Sequence, residues 1–339
     1  MRERGDVDES SDPDARGDQR EGSWLRRLGG RRSSGGDQAK GDVGNAKAAG
    51  DQVAPPGVGS LPTALWTDSH CHLQDDPDPA ETVSRARAAR VGRMVCVGTD
   101  EISSRRAVAL AAEFSPASSA LAAPLQGAVG RPAEVFATVG LHPHDAKVGL
   151  EPLKELIGEL SAAGGLGRSR VVAIGECGLD FHYDNSPREV QRDVFAAQVA
   201  LAHQHSLALV IHTREAWDET FSILEQEGVP SRTIFHCFSG GEQEARQCLR
   251  VGGFLSFSGI VTFANADELR QVAVHCPLDS MLIETDSPFL TPVPHRGRRN
   301  SPSNVVLVGQ TIADLKSFEP EVLAAVTWMN ADKAFGIGS

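Results

Sequence analysis

Imidazole and carboxylate side chains stand at the ends of several short apolar runs in the sequence. The first run ends in His70-Cys71-His72. Alternation along a strand places the two histidines on one face and the cysteine on the other. Later runs end in residues of the same two chemical types, namely Glu176, His212, His236 and Asp286. Imidazole and carboxylate together form a ligand set for a divalent metal such as Mg²⁺, Mn²⁺ or Zn²⁺.

Six such ligands exceed what one tetrahedral ion needs, so the sequence predicts two divalent metal ions. The histidine pair of the first run and Asp286 are predicted to hold one ion. His212 and His236 are predicted to hold the other, with Glu176 as the carboxylate that bridges both. Asp286 is also the predicted proton acceptor for an attacking water, which makes Asp286 and Glu176 the candidate catalytic residues.

Five further polar residues are candidates for supporting roles. His142 and His144 follow another apolar run and are predicted to contact substrate. Arg214 and Arg296 are predicted phosphate contacts, because the planar guanidinium binds phosphate with two hydrogen bonds. Asp68 has no ligand role in this scheme and is predicted to orient one of the first two histidines from outside the ligand set.

Eight Val/Ile/Phe-rich runs alternate with helix-length amphipathic stretches. The runs cover residues 64–72, 92–98, 135–142, 170–176, 207–212, 232–238, 252–258 and 280–286. Continuous apolar strands alternating with helices indicate a parallel sheet buried on both faces. Eight such units predict an α/β fold, a closed (β/α)8 TIM barrel, with the polar residues at the C-terminal ends of its strands. The alternative is an open doubly wound sheet, but no G-x-G-x-x-G follows the first strand.

Two of the intervening helices have recognisable ends. One is predicted over residues 187–205, with Ser186 as N-cap and Glu189 completing a capping box. The other is predicted over residues 214–226, with Gly228 just beyond its end. The Ala/Gly/Pro-rich residues 115–131 are predicted to form an insertion between the second and third strands.

Residues 1–62 differ in composition from the rest of the chain. They hold 12 of the 34 glycines, with 10 Lys/Arg, 11 Asp/Glu and few large apolar residues. Such a segment cannot bury enough apolar surface to offset its ordering entropy. We therefore expect a disordered N-terminal tail over 1–62 and a hydrolase barrel over 63–339.

Charge and composition exclude some classes of protein. The net charge of −12 argues against a protein held on nucleic acid by overall charge. Two carboxylates and two divalent ions would nevertheless leave a local charge of about +2 at the predicted site. The sequence contains no run of about 18 apolar residues, so it predicts no membrane span. Six scattered cysteines without a C-x-x-C pair favour a reduced, cytoplasmic enzyme.

The order and spacing of these motifs resemble the TatD family of metal-dependent deoxyribonucleases, within the amidohydrolase-like barrels. The matching stretches are DSHCHL (68–73), GLHPHDA (140–146), IGECGLDFHYDNSPREVQ (174–191), HTREA (212–216), HCFSG (236–240), ETDSPFL (284–290), PHRGRRN (294–300) and the terminal T-x-x-N-x-x-x-x-FG (327–336). The resemblance covers about residues 65–338 and implies the same six metal ligands. Two departures are Ser301, where the family usually has Glu, and His182, where it often has a second aromatic.

The resemblance implies phosphodiester hydrolysis by metal-activated water, as a 3′→5′ exodeoxyribonuclease acting on DNA ends. One alternative is an ester hydrolase on RNA that removes D-amino acids from tRNA, as some members of the family are reported to do. Another is a small-molecule amidohydrolase, but those barrels often bridge their metals with a carboxylated Lys on strand four, where this chain has Ile174-Gly175-Glu176. The expected partner is therefore nucleic acid, with no membrane; the sequence sets no oligomeric state.

Overall fold

A computed structural model describes residues 64–115 and 133–337. The predicted tail over 1–62, its boundary with the barrel and nearly all of the predicted insertion lie outside these residues. Eight parallel strands occur in the described ranges: β1 (Trp66–Cys71), β2 (Val91–Val97), β3 (Glu134–Val139), β4 (Val171–Asp180), β5 (Ala208–Arg214), β6 (Thr233–Phe235), β7 (Phe254–Phe257) and β8 (Met281–Ile283). Each of the eight predicted runs overlaps one of them.

A helix follows every strand. The helices are α1 (Pro79–Ala88), α2 (Glu101–Glu113), α3 (Glu151–Ala162), α4 (Arg188–His205), α5 (Trp217–Glu227), α6 (Glu242–Arg250), α7 (Asp267–His275), α8 (Val305–Lys316) and α9 (Pro320–Phe335). Local sequence fixes several starts. Asp78 accepts a hydrogen bond from Glu81 N at 3.0 Å, and Pro79 stands at the first helical position of α1.

The strands pair in sequence order from β1 to β8. The last strand returns to the first beyond its end, through a parallel bridge between Cys71 and Ser287. Two backbone hydrogen bonds support this closure: His72 N donates to Ser287 O at 2.8 Å, and Asp286 N donates to His70 O at 2.9 Å. The predicted (β/α)8 barrel is confirmed, and its seam joins the two chain segments that carry His70, His72 and Asp286.

The strands are buried on both faces, as their apolar composition predicts. Every residue of β1, β2 and β4 is buried. The C-terminal part of α9 packs Ala331, Ala334 and Phe335 into one buried cluster with apolar side chains of several strands, among them Val95 and Ile234. Among the described residues, no helix is long and apolar enough to cross a membrane.

Two predicted helix starts are wrong. Helix α4 begins at Arg188, and Ser186 does not cap it. The Ser186 hydroxyl instead donates to His144 O at 2.8 Å and accepts from Lys147 N at 3.2 Å, which ties the loop after β3 to the loop after β4. Helix α5 begins at Trp217, because β5 continues through Arg214 and the chain then turns at Glu215 with a φ of 53°.

Candidate metal centre

The end of β1 and the segment after β8 bring the first group of candidate ligands together. Nε2 of His72 lies 3.3 Å from Asp286 Oδ1, and Nε2 of His70 lies 3.7 Å from the same oxygen. One ligand atom from each of the three residues lies within 4.8 Å of the others. Strand pairing at the seam therefore places these residues as the sequence predicts.

Glu176 lies at the centre of the site. Its Oε1 is 2.9 Å from His212 Nδ1 and 2.9 Å from His236 Nε2. Its Oε2 faces the other way, 3.4 Å from His70 Nε2 and 3.9 Å from His72 Nε2. One carboxylate thus presents one oxygen to each group of histidines, which is the arrangement expected of a bridging ligand.

Gly175 explains how β4 delivers this carboxylate. Its φ is 132°, which L side chains rarely adopt, and an added Cβ would overlap the backbone oxygen of Val210 on β5. A glycine is therefore required directly before Glu176. The close approach of β4 and β5 also brings Glu176 next to His212, which stands on β5.

The buried charges of the site depend on one another. Burial opposes ionisation of Glu176, but the surrounding imidazoles, led by His236 and His142, hold its pKa well below the usual range. Burial also opposes protonation of His72, but the hydrogen bond to Asp286 and the charge on Glu176 raise its pKa to about 9. Burial and the neighbouring His236 lower the pKa of His70. The carboxylates are therefore anionic acceptors within a shell of imidazoles.

A carboxylate absent from the predicted site stands behind His236. Glu284 is fully buried, and its Oε1 accepts hydrogen bonds from His236 Nδ1 at 3.1 Å and from Cys237 N at 2.7 Å. This contact turns Nε2 of His236 towards Glu176. The signal in the sequence was the spacing of Glu284 and Asp286, two residues apart like the first histidine pair.

A second such carboxylate, Asp180, stands behind His212. Its Oδ2 lies 3.3 Å from His212 Nε2 and 2.9 Å from His144 Nε2, while its Oδ1 accepts from the backbone N of His182 and Tyr183, at 2.9 Å each. Sequence reasoning missed Asp180 because it ended β4 at residue 176. The strand runs four residues further, so residues 176 and 180 share a face.

His142 and His144, which were expected to contact substrate, lie beside the candidate ligands. Nε2 of His142 lies 3.3 Å from Glu176 Oε1, and His142, Glu176 and His212 form a group with ligand atoms within 4.8 Å of one another. Burial lowers the pKa of His142 to about 4, so the ring is a neutral, available ligand at neutral pH. His144 instead donates to Asp180. Both histidines therefore adjoin the candidate metal ligands, and a contact with substrate remains a prediction for both.

Asp68 does not orient an imidazole, contrary to the expectation from sequence. Its carboxylate accepts from Thr285 N at 2.9 Å, from Thr285 Oγ1 at 2.6 Å and from His70 N at 3.3 Å. All three donors belong to the backbone or to a hydroxyl. Asp68 therefore joins the end of β1 to the segment after β8 and fixes the seam beneath the site.

The two arginines predicted to bind phosphate are packed on aromatic rings. Arg214 lies over Tyr183, with Cζ 4.7 Å from the ring centroid. Arg296 lies over Phe263 at 3.9 Å, and its Nη1 donates to Thr291 O at 3.1 Å. Stacking leaves part of a guanidinium available for an anion, so a phosphate contact remains a prediction for both residues.

The two departures from the resembling family lie in loops near the site. His182 Nδ1 donates to Glu215 Oε1 at 2.8 Å, so a hydrogen-bonded histidine and carboxylate stand where a second aromatic is common. Ser301 makes no comparable contact: its Oγ is buried and has no hydrogen-bond partner among the described residues. Neither residue alters the group of candidate ligands.

The residues of the centre fit divalent metal ions. Both ring nitrogens of His70 and Nε2 of His236 are buried and have no hydrogen-bond partner within the described residues. Nε2 of His236 lies 2.9 Å from Glu176 Oε1 without the alignment of a hydrogen bond. Unpaired buried imidazole nitrogens are costly unless they have a ligand role, and a mixed imidazole and carboxylate set suits Zn²⁺, Mn²⁺ or a similar ion.

The expected local charge of about +2 counted two carboxylates, whereas four carboxylates lie around the histidines. Glu176, Asp286, Asp180 and Glu284 all face the histidines of the centre. Two divalent ions would balance four carboxylates, so the formal charge of the filled centre is about zero.

Comparisons with known proteins relate this chain to metal-dependent hydrolases. Residues 67–336 match the family model described as TatD related DNase. An uncharacterized metal-dependent hydrolase of Bacillus subtilis, YabD, is 40% identical over 274 residues, which cover 80% of this chain and 98% of the relative. A protein of Klebsiella pneumoniae named 3′-5′ ssDNA/RNA exonuclease TatD is 32% identical over 267 residues, covering 77% of this chain and 92% of the relative.

A solved structure shows the same fold. The crystal structure of YjjV, a TatD homologue from Escherichia coli K12, superimposes with a TM-score of 0.69 at 27% sequence identity. The match covers 80% of this chain and 98% of that one.

Proposed function

This chain belongs to the family of TatD related DNases and is a metal-dependent hydrolase, and we propose that it is a 3′→5′ exodeoxyribonuclease. Its substrate is the 3′ end of a single-stranded DNA, from which it releases nucleotides one at a time. A relative at 32% identity carries the name of a 3′-5′ ssDNA/RNA exonuclease, which supports this direction and strand type.

The observation that carries the proposal is the division of the Glu176 oxygens between two groups of histidines. That division supports two divalent ions, Mg²⁺, Mn²⁺ or Zn²⁺. His70, His72 and Asp286 would hold one ion. The other would lie among His142, His212 and His236, with Glu176 shared between both.

Two divalent ions held by these residues would supply Lewis acidity for a phosphoryl group and would lower the pKa of water towards neutrality. Asp286, with a pKa held below its usual range by His72 and the other imidazoles despite burial, is positioned to accept a proton. The attacking water forms the new O–P bond and gives its proton to the Asp286 carboxylate. The P–O3′ bond breaks, and the 3′ oxygen of the shortened strand takes a proton from solvent.

The remaining carboxylates hold the ligands rather than the substrate. Asp180 and Glu284 fix the ring orientation of His212 and His236 through the nitrogens that face away from Glu176. Amide chemistry of the carboxylated-lysine type has no support on β4, where Glu176 occupies the bridging position. The ester bond of an aminoacyl-tRNA is the other substrate that this centre would suit.

The test is digestion of 5′-labelled single-stranded DNA by metal-stripped protein, with Mg²⁺, Mn²⁺ or Zn²⁺ added back and a chelator control. We expect a metal-dependent ladder that shortens from the 3′ end. Asp286→Asn should abolish the ladder. Asp279→Asn should not, because Asp279 is exposed and precedes β8, at the other end of the strand from Asp286. A protein that binds about two ions but cleaves no DNA would contradict the proposal and direct attention to tRNA esters.

A further inference from the structure

The metal centre by itself offers little attraction for a polyanion. With four carboxylates around it, its formal charge is about zero when two divalent ions are bound. The chain as a whole carries a net charge of −12. A nucleic acid strand therefore needs a local surface of opposite charge beside the site.

The loop after β8 provides such a surface. We call residues 287–300 the β8 loop: it contains three arginines and no Asp or Glu. Arg298 and Arg299 are exposed, and Arg299 Nη2 donates to Asp75 O at 2.9 Å, which holds this end of the loop against the segment after β1. The loop begins directly after the candidate ligand Asp286.

Phe289 lies in this loop at the mouth of the centre. Five large apolar side chains are exposed in the described ranges, and Phe289, 36% exposed, is the one aromatic among them. Its ring centroid is 6.3 Å from that of His72, with the two planes at 69°. Val293, another of the five, is on the same loop. Exposed apolar surface is thus placed beside the ligands.

The backbone of Phe289 is fixed although its ring is exposed. Its N donates to Asp286 O at 2.9 Å, and its O accepts from Nδ2 of the buried Asn300 at 2.6 Å. The ring position is therefore tied to the position of Asp286. Such a ring loses little conformational freedom when it contacts a ligand.

From this placement we propose that Phe289 is a stacking platform for the terminal nucleobase of the strand, and that Arg298 and Arg299 bind the phosphates that follow it. This inference rests on the proposed function and defines its substrate as a single strand that bears a base at its end. Every nucleobase has a π face, so the contact is indifferent to sequence. It also requires an unpaired terminus, because a base within a duplex cannot leave its stack to cover the ring.

The test compares two 5′-labelled oligonucleotides that end in thymidine or in an abasic tetrahydrofuran residue. One stacked base contributes a factor of about 5 to 150 in kcat/KM, so the wild-type enzyme should prefer the thymidine end by that factor. In Phe289→Ala the preference should disappear, through a loss on the thymidine end alone. Phe289→Trp should retain it, while Phe289→Leu, apolar but without a π face, should lose most of it.

Met329→Ala is the matched control, because Met329 is also exposed but lies on α9. It should keep the wild-type preference. Arg298→Ala should lower kcat/KM equally on both ends and weaken its dependence on salt, since a phosphate contact does not sense the base. Equal cleavage of both ends by the wild type, or a preference that survives Phe289→Ala, would overturn the inference.

A binding measurement separates this inference from the proposed function. An oligonucleotide with 2-aminopurine at its 3′ end loses fluorescence when that base stacks, whether or not it is cleaved. We expect quenching with Asp286→Asn protein and its loss when Phe289→Ala is added. If no oligonucleotide is cleaved, the proposed function fails, and quenching that depends on Phe289 still supports the platform. Absence of quenching, or quenching without dependence on Phe289, overturns it.

Discussion

The imidazoles of His70 and His236 stack almost in parallel, with centroids 3.8 Å apart and planes 15° from each other. Both rings are buried, and the two nitrogens nearest Glu176 have no hydrogen-bond partner in the described part of the chain. Two such rings cannot both carry a proton at this distance without strong repulsion. The stack therefore requires at least one neutral imidazole, which is the form that binds a metal.

Removing one ring of this pair tests the assignment of the centre. His236→Ala should leave the barrel folded, since β6 ends before His236, but it removes a candidate ligand and leaves Glu284 without its imidazole. Loss of a residue that only hydrogen-bonds to a metal ligand lowers metal affinity by about 10- to 100-fold. Because His236 is itself a candidate ligand, we expect a larger fall in His236→Ala. Calorimetric titration and turnover measure this, with circular dichroism as a check of folding.

His275→Ala provides the control for that variant, because His275 is exposed at the end of α7 and its Nδ1 donates to Gln271 O. It should bind metal and turn over like the wild type. Wild-type turnover in His236→Ala would show that the assigned centre is not the active one.

Metal binding should release protons and strengthen as the pH rises. Burial lowers the pKa of His72 in the metal-free protein, but the hydrogen bond to Asp286 outweighs it and raises that pKa to about 9. At pH 7.5 this ring is protonated, and an ion must displace its proton to bind. Affinity should therefore rise about tenfold per pH unit for each released proton and level off above pH 9.

Calorimetry in two buffers of different ionisation enthalpy measures the number of protons released. At pH 7.5 we expect at least one, and close to none from His72 at pH 10. An affinity that is constant between pH 7 and pH 9 would contradict the charged state assigned to His72.

Much of this architecture could be predicted from the sequence, because its signals are local. The eight strands are continuous apolar runs, and polar residues at their ends meet wherever a parallel sheet closes into a barrel. The pair His70 and His72 needed only the alternation of a strand. Glu176, His212 and Asp286 each stand at the end of a predicted run, so their convergence needed no knowledge of side-chain packing.

The errors arose where a role depends on distant contacts. Asp68 was expected to orient His70 or His72, but its carboxylate accepts hydrogen bonds from the backbone N and the hydroxyl of Thr285 across the seam. Asp180 was missed because the predicted strand ended at residue 176, and Glu284 was missed because its spacing from Asp286 does not by itself show that it meets an imidazole. Ser186 has the sequence of an N-cap, but tertiary contacts with the loop after β3 use its hydroxyl.

Glu284 should position His236 rather than bind substrate. In Glu284→Ala, both His236 Nδ1 and Cys237 N lose their acceptor, so the imidazole is free to turn from the ion. We expect about 10- to 100-fold weaker metal binding. Glu284→Gln keeps an oxygen that accepts both hydrogen bonds and should recover most of this loss.

The readout is metal affinity by calorimetry, together with the KM for substrate at saturating metal. A positioning role predicts that KM changes little once the ions are bound. A large rise in KM in both variants would instead place Glu284 in contact with substrate.

Two glycine substitutions should have opposite effects on stability, which tests the packing of α8 on the seam. An added methyl at Gly309 in α8 would lie 2.6 Å from Cη2 of the buried Trp66 at the start of β1. Neither the helix backbone nor the buried ring can move freely, and such overpacking costs about 1–3 kcal/mol. Gly309→Ala should therefore lower the melting temperature by about 2–4 °C for each kcal/mol lost.

Gly158 lies in α3 with nothing within 4 Å of its added methyl, so Gly158→Ala should instead gain about 0.5–1 kcal/mol from helix propensity. Thermal unfolding of both metal-free variants measures the two shifts, and a Gly309→Ala protein as stable as Gly158→Ala would show that α8 does not pack on Trp66 as described.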